Sequence, residues 1–445
     1  MINLIAKPSF NERHHKSLIA CWKEGVLATV MVTVADVYFI PLALLVGASS
    51  KMVGLLVAIP NLLGSISQLI SVRLLNRMGS RHRFLIPAIL LQVFVLISAA
   101  TLPLLHFSFT VAAVIFLASL YRILANLVST VWGSLVSDYL APEERGTYFG
   151  WRSQLVGIAS VISMTGAGIM LYMIKPISNA LAFFLIFIIA AVIRFISVTY
   201  ISKMEDIPLQ IKTHKTFNFF NFIARYKKGN FVKFVFYISA MSFGASLSGP
   251  FFSVYMIRDL NFTHLMFMAI NLASILGGFI AGAVFGKLSD KIGNAKVLKM
   301  IGYIVPFTPI LWMCSTSILW LFFVEILAGF SWGGFGLCAA NFTYDAVKPE
   351  NRVQCISYLT LINGFAIFFG ATFGGYLTEI LPPVFGQKLF GVFLISSAVR
   401  LLVTLTFGRQ FKETRESIKK NLEPMPLFSV LLGYGHRITQ RLWNS

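Results

Sequence analysis

The chain has 445 residues, of which 57% are apolar and only 12% carry a charge, about half the charged share with which a soluble domain keeps its surface wetted. With 42 Phe and a mean hydropathy of +0.78, a long soluble enzyme is excluded, because helices in water need a polar face; the composition is that of a polytopic membrane protein. The net charge is +20, but the basic residues lie between apolar blocks, so they read as topology and anionic-lipid signals and not as a nucleic-acid surface.

Residues 1–21 are polar and basic and lack the apolar core of a signal peptide, so insertion is expected to rely on the first internal span. A crossing needs about 20 largely apolar residues. On that measure spans are expected at 22–46, 51–72, 84–105, 108–137, 148–174 and 180–202, followed by a polar linker at 203–231. A second set is expected at 232–257, 264–286, 296–316, 318–345, 353–380 and 387–408, followed by a basic tail at 409–445. The expected fold is all-α and integral to the membrane: twelve transmembrane helices in two six-helix bundles, 22–202 and 232–408. Thirty Lys+Arg fall on the face that carries both termini, whereas Lys51, Lys175, Arg258 and Lys388 fall on the other. That asymmetry places both termini in the cytoplasm.

The two halves repeat. Asp138, Pro142, Glu143 and Arg145 at the end of the fourth span match Asp345, Pro349, Glu350 and Arg352 at the end of the tenth, all at an offset of 207. Arg77 and Gly79 after the second span match Lys291 and Gly293 after the eighth at an offset of 214, and Arg194 matches Arg400 at 206. Six spans return the chain to its starting side, so the copies are parallel, a transporter plan with a solute site between the halves. The glycines allow tight turns between antiparallel helices. Asp138 and Asp345 sit where a span meets the cytoplasm, within reach of basic loop residues; these charges either solvate loops or exchange partners as a gate.

With these loops in view, the chain resembles the major facilitator superfamily over about residues 20–408. Gly286, Asp290, Lys291 and Gly293 resemble its cytoplasmic loop signature, with Asn294 and Ala295 in place of the trailing basic pair; the first copy departs further, with Val72 and Asn76 at the Gly and Asp positions. The resemblance implies that this loop latches the cytoplasmic gate, with Arg77, Gly79, Asp138, Arg145, Asp290, Gly293, Asp345 and Arg352 taking part. It also implies that the first, fourth, seventh and tenth helices line the cavity.

A charge at mid-bilayer costs about 2.5–3.5 kcal/mol on insertion scales, so it needs a partner or a wet cavity. Asp36 lies mid-way along the first span with Thr29 and Thr33 on its face; Arg122 lies mid-way along the fourth, followed at helical spacing by Asn126, Ser129, Gly133 and Ser137. An Asp36–Arg122 pair across the cavity either binds a charged solute or coupling proton, or clamps two helices. Glu325, in the tenth span, has no opposite charge nearby in sequence, and suits proton uptake and release or a neutral interhelical hydrogen bond. Arg194 and Arg400 lie toward the cytoplasmic ends of the sixth and twelfth spans and are expected to snorkel to headgroups; Glu24 is expected at the interface beside Lys23. Tyr38, Gln68, Trp132, Tyr237, Asn271, Trp332 and Asn363 serve either as cavity lining or as interhelical glue. Pro250, after Gly249, and Pro41 are expected hinge points. The tail over 424–445 mixes apolar and basic residues as an interfacial helix would, and Asn261-Phe-Thr263 is a formal glycosylation sequon.

Cys21, Cys314, Cys338 and Cys355 form no CxxC and no metal-ligand spacing, so neither metal nor cofactor is expected, and scattered histidines argue against an enzyme. The expected function is a monomeric secondary transporter in the plasma (inner) membrane that moves a small solute by alternating access, coupled to protons as a symporter. The alternatives are a proton-coupled efflux antiporter and a non-transporting receptor or assembly factor on the same fold. The antiporter signature expected in the fifth span is missing, since Gly157-Ile-Ala-Ser-Val is not followed by Gly-Pro.

Overall fold

The structure, a computed structural model, describes residues 14–105, 109–140, 142–207, 219–224, 229–347 and 349–415. The helices are α1 (His15–Leu45), α2 (Ser50–Met78), α3 (Arg81–Thr101), α4 (Thr110–Tyr139), α5 (Pro142–Ile174), α6 (Asn179–Ile201), α7 (Phe219–Ala224), α8 (Asn230–Val254), α9 (His264–Ile292), α10 (Asn294–Ile304), α11 (Phe307–Cys314), α12 (Ile318–Ala346), α13 (Pro349–Ile380) and α14 (Phe390–Thr406). Side-chain caps start several of them: Met52 N donates to Ser49 Oγ at 3.3 Å, Arg83 N to Ser80 Oγ at 3.1 Å and Met266 N to Thr263 Oγ1 at 3.3 Å. Among the described residues, eleven helical stretches, with α10 and α11 counted together, are long and apolar enough to cross a membrane, and the shorter 17-residue α14 is also apolar. Phe94, Phe116, Ile162, Phe323 and Leu402 are exposed on the outside of the bundles, which lipid accommodates and water would not.

Both halves pair their helices in the same way. In the first, α1 packs on α5 and α6, and α2 on α4; in the second, α8 packs on α13 and α14, and α9 on α12. The halves meet along α2–α13 and α5–α9, contacts that the repeat exchanges with one another. One core cluster draws on both halves, with Tyr38, Val53 and Leu171 packed with Phe251, Tyr255 and Phe267. Toward the basic loops each half has its own core: Phe84, Leu135, Tyr139 and Tyr148 in the first, Phe234, Tyr237, Phe342 and Phe411 in the second. The bundles therefore share an interior at one end and divide at the other.

Four details differ from the sequence-based expectation. The ninth span is broken into α10 and α11 at Val305–Pro306, because proline brings no amide and its ring excludes the carbonyl behind it. The expected hinges Pro41 and Pro250 lie inside continuous helices; the irregularity in the seventh span comes later, as a π-helical turn at Tyr255–Asp259. The linker carries α7, whose buried Phe222 sits with Phe219 against Tyr358, both ring pairs at 5.3 Å. The start of the tail folds back on the second half, where Phe411 is fully buried beside Phe234, Tyr237 and Phe342. The segment 424–445 lies outside the described residues.

Candidate functional site

The first and fourth helices bring together the two charges in the middle of the first half. Arg122 Nη2 lies 3.2 Å from Asp36 Oδ1, with 32% and 38% of the side chains exposed. A turn away, Thr33 and Ser160 share a hydrogen bond of 3.0 Å. Gly64 of α2 packs directly against Arg122 and Asn126, leaving no room for a side chain between them. The pair thus lies midway along its two helices with about a third of each side chain left exposed. Tyr38, by contrast, is fully buried and donates to Met164 O at 3.3 Å, and Tyr237 is fully buried in the second core.

A second pair in the same half is dry. Arg194 is bonded to Glu24 at 2.7 Å and to Gln92 Oε1 at 3.0 Å, with only 2% and 5% of the Arg194 and Glu24 side chains exposed. Neither residue sits at the headgroups as expected. Both lie on the inward faces of their helices, where Arg194 gains a carboxylate and an amide in place of water. Arg400, its counterpart in the repeat, is also buried, at 2% exposure. Its Nη1 donates to Val305 O at 3.3 Å and Thr308 Oγ1 at 3.2 Å, and its Nη2 to Ser248 Oγ at 2.8 Å. Together with Ser397, which donates to Pro306 O, it ties α14 to the junction of α10 and α11, where Thr404 Oγ1 donates to Gly302 O, the carbonyl left without an amide partner by Pro306, at 2.7 Å.

Glu325 is partly buried and accepts from Trp312 Nε1 at 3.1 Å. It lines a cavity of about 190 Å3 together with Ser274, Trp312, Trp332 and Arg400.

At the basic end, Asp138 in the first half and Asp290 and Asp345 in the second take part in ion pairs, each within its own half. Arg81 is bonded to Asp138 at 2.6 Å and to Ile207 O at 2.8 Å, whereas Arg77 is exposed and makes no ion pair among the described residues. In the second half, Arg415 from the tail pairs with Asp345 at 2.7 Å and Asp290 at 3.2 Å. Burial opposes the Arg415 charge, but its bonds to Asp345 and Asp290 outweigh that and hold it above the usual arginine range. Arg352 donates to Tyr344 O at 3.0 Å; Arg145 lies in the first turns of α5, and its side chain is outside the described residues. Gly79 and Gly293 both take positive φ, +69° and +91°, as the turns require.

Sequence reading missed Asp206 and Glu413. Each accepts from a backbone amide at the start of a helix, Arg81 N at 3.3 Å and Ala295 N at 2.9 Å, and the two are separated by the same offset of 207 as the Asp-Pro-Glu-Arg turns. At the opposite end, contacts cross between the halves: Arg258 Nη1 donates to Ser50 Oγ at 2.8 Å, and Lys51 lies 3.6 Å from Glu379.

These features define a membrane transporter of two related bundles, and comparison with known proteins agrees. The chain matches the Major Facilitator Superfamily over residues 25–334 and 234–443 and belongs to that family, which makes it a transporter and not an enzyme. It is 27% identical to the class H tetracycline resistance protein of Pasteurella multocida over 151 residues, spanning only 35% of that relative and 33% of this chain. The fold is similar to that of the nucleoside transporter NupG, at a TM-score of 0.65 and 15% identity, over 89% of this chain and 98% of the other. It is also similar to a bacterial homologue of the iron transporter ferroportin in its inward-facing state, at a TM-score of 0.66 and 14% identity, over 88% and 97% of the two chains.

Proposed function

We propose that the protein is a proton-coupled secondary transporter for a small solute, with the Asp36–Arg122 pair as its solute- and proton-responsive element. The observation that carries this is the difference between two ion pairs in one bundle. A pair that only clamps helices gains most when dry and fully bonded, as Arg194–Glu24 is, whereas Asp36–Arg122 keeps about a third of each side chain open. When Asp36 takes a proton, its attraction for Arg122 falls and the guanidinium is released to a solute, a direct route to coupling. Glu325 is the second candidate for the titrating group.

We place both termini in the cytoplasm of a plasma (inner) membrane, as the thirty-to-four basic asymmetry supports. The shared core and the Ser50–Arg258 and Lys51–Glu379 contacts then close the outer end, while the separate cores part at the cytoplasmic end. This is an inward-open state of a monomer that rocks about its midplane. A drug–proton antiporter is the second reading, favoured by the tetracycline resistance relative.

Uptake by the purified protein in liposomes, across nucleosides, organic acids, tetracycline and divalent metals, with and without an imposed pH gradient, tests the proposal. Gradient-driven movement of one solute class, abolished by Asp36→Asn or Glu325→Gln, is the expected result, and its direction separates symport from antiport. Movement indifferent to the gradient and to both substitutions would contradict it.

A further inference from the structure

Arg194 and Arg400 occupy equivalent positions in the repeat and are equally buried, but only Arg194 has a carboxylate. No Asp or Glu lies within ion-pair distance of Arg400 among the described residues. Its bonds run to neutral groups, the hydroxyls of Ser248 and Thr308 and the carbonyls of Val305 and Ala245, and its Nε has no partner among the described residues. A guanidinium enclosed without a counter-charge is strongly disfavoured unless an anion or water reaches it.

Space for an anion exists beside it. Arg400 lines the cavity of about 190 Å3 bordered by α8, α9, α11, α12 and α14, with the Trp332 ring 6.0 Å from its guanidinium carbon and Trp312 on the wall. The volume suits an ion of a few heavy atoms, and the Arg400 Nε–H is the donor left without a partner among the described residues. The one negative group on the wall is Glu325, already engaged by Trp312.

We propose that this cavity is an anion site, in which Arg400 holds a small monoanion, a carboxylate or halide of formate or iodide size. Glu325 shares the cavity and repels an anion held there, so neutralising Glu325 tightens anion binding. The site shares Glu325 with the second titrating candidate but stands apart from the Asp36–Arg122 pair, and its failure leaves the proposal for that pair untouched.

Iodide quenching of tryptophan emission tests it, in detergent-solubilised full-length protein at constant ionic strength, with bulky gluconate as the balancing anion. Trp312 is 1% exposed and borders the cavity, so iodide in the cavity quenches it at contact. The expected result is a saturable component of quenching that formate reverses. Its half-saturation rises roughly tenfold or more in Arg400→Gln, the scale of a lost charge-assisted hydrogen bond, and falls in Glu325→Gln. Purely linear quenching that formate does not reverse, or an unchanged midpoint in Arg400→Gln, would overturn the proposal. If Arg400→Gln does not fold, Trp312→Phe and Trp332→Phe decide: the formate-reversible component shrinks in these variants, and its survival at full size in both would overturn the site.

Discussion

The two bundles share a pairing scheme but use their charges differently. The first half holds two internal ion pairs, one dry (Arg194–Glu24) and one open (Asp36–Arg122). The second half keeps an arginine and a glutamate apart on one cavity wall, with no internal ion pair between them among the described residues. At the end with the basic loops the contrast recurs: the basic partner of Asp138 is Arg81 at the start of α3, whereas the basic partner of Asp345 is Arg415 from the tail. Duplication supplied a common frame, and each copy assigned its charges separately, so burial and pairing distinguish a structural charge from one that can work.

The largest effect is expected at the dry pair. Glu24→Ala leaves Arg194 buried and uncompensated, and should destabilise the protein by about 3–5 kcal/mol, the scale for breaking a buried pair; thermal unfolding in detergent measures this. Arg122→Gln should instead reduce solute uptake by roughly a hundredfold, as expected when a group acting in the transport cycle is lost, with almost no change in unfolding temperature. A large stability loss there would make the open pair a clamp and break the comparison.

Arg400→Met sharpens it further. With no carboxylate partner to strand, this change should be milder than Glu24→Ala, about 1–2 kcal/mol for the lost hydrogen bonds, measured in the same unfolding assay. The smallest effect belongs to Arg415→Gln, where a partly exposed pair contributes under about 1 kcal/mol. It should leave unfolding nearly unchanged but quicken hydrogen exchange around Asp290 and Asp345.

Much of the frame was legible in the sequence, because span length, the basic asymmetry and the offsets near 207 are local or periodic signals. The pairing of Asp36 with Arg122 was legible too, since both lie at mid-span on helices that the family resemblance brings together. Burial of Arg194, Arg400 and Glu24 was not. Their distance from a span end suggested headgroups, and which face of an apolar helix turns inward is unmarked when both faces are apolar. Proline alone did not mark where a helix ends: Pro41 and Pro250 sit within continuous helices, while Pro306 divides a span whose length looked intact. Asp206 and Glu413 escaped notice because they differ in residue type and lie beyond the spans, although their offset was available. The tail contacts of Phe411 and Arg415 depend on a chain reversal that no local pattern records.

The most direct test of the open pair is proton movement evoked by solute. Proteoliposomes containing a trapped pH-sensitive dye are given the transported solute, and wild type is compared with Asp36→Asn at equal folded amounts. Solute-dependent acidification or alkalinisation in wild type that disappears in Asp36→Asn is the predicted result. An unchanged proton signal in Asp36→Asn would show that the pair does not carry the coupling.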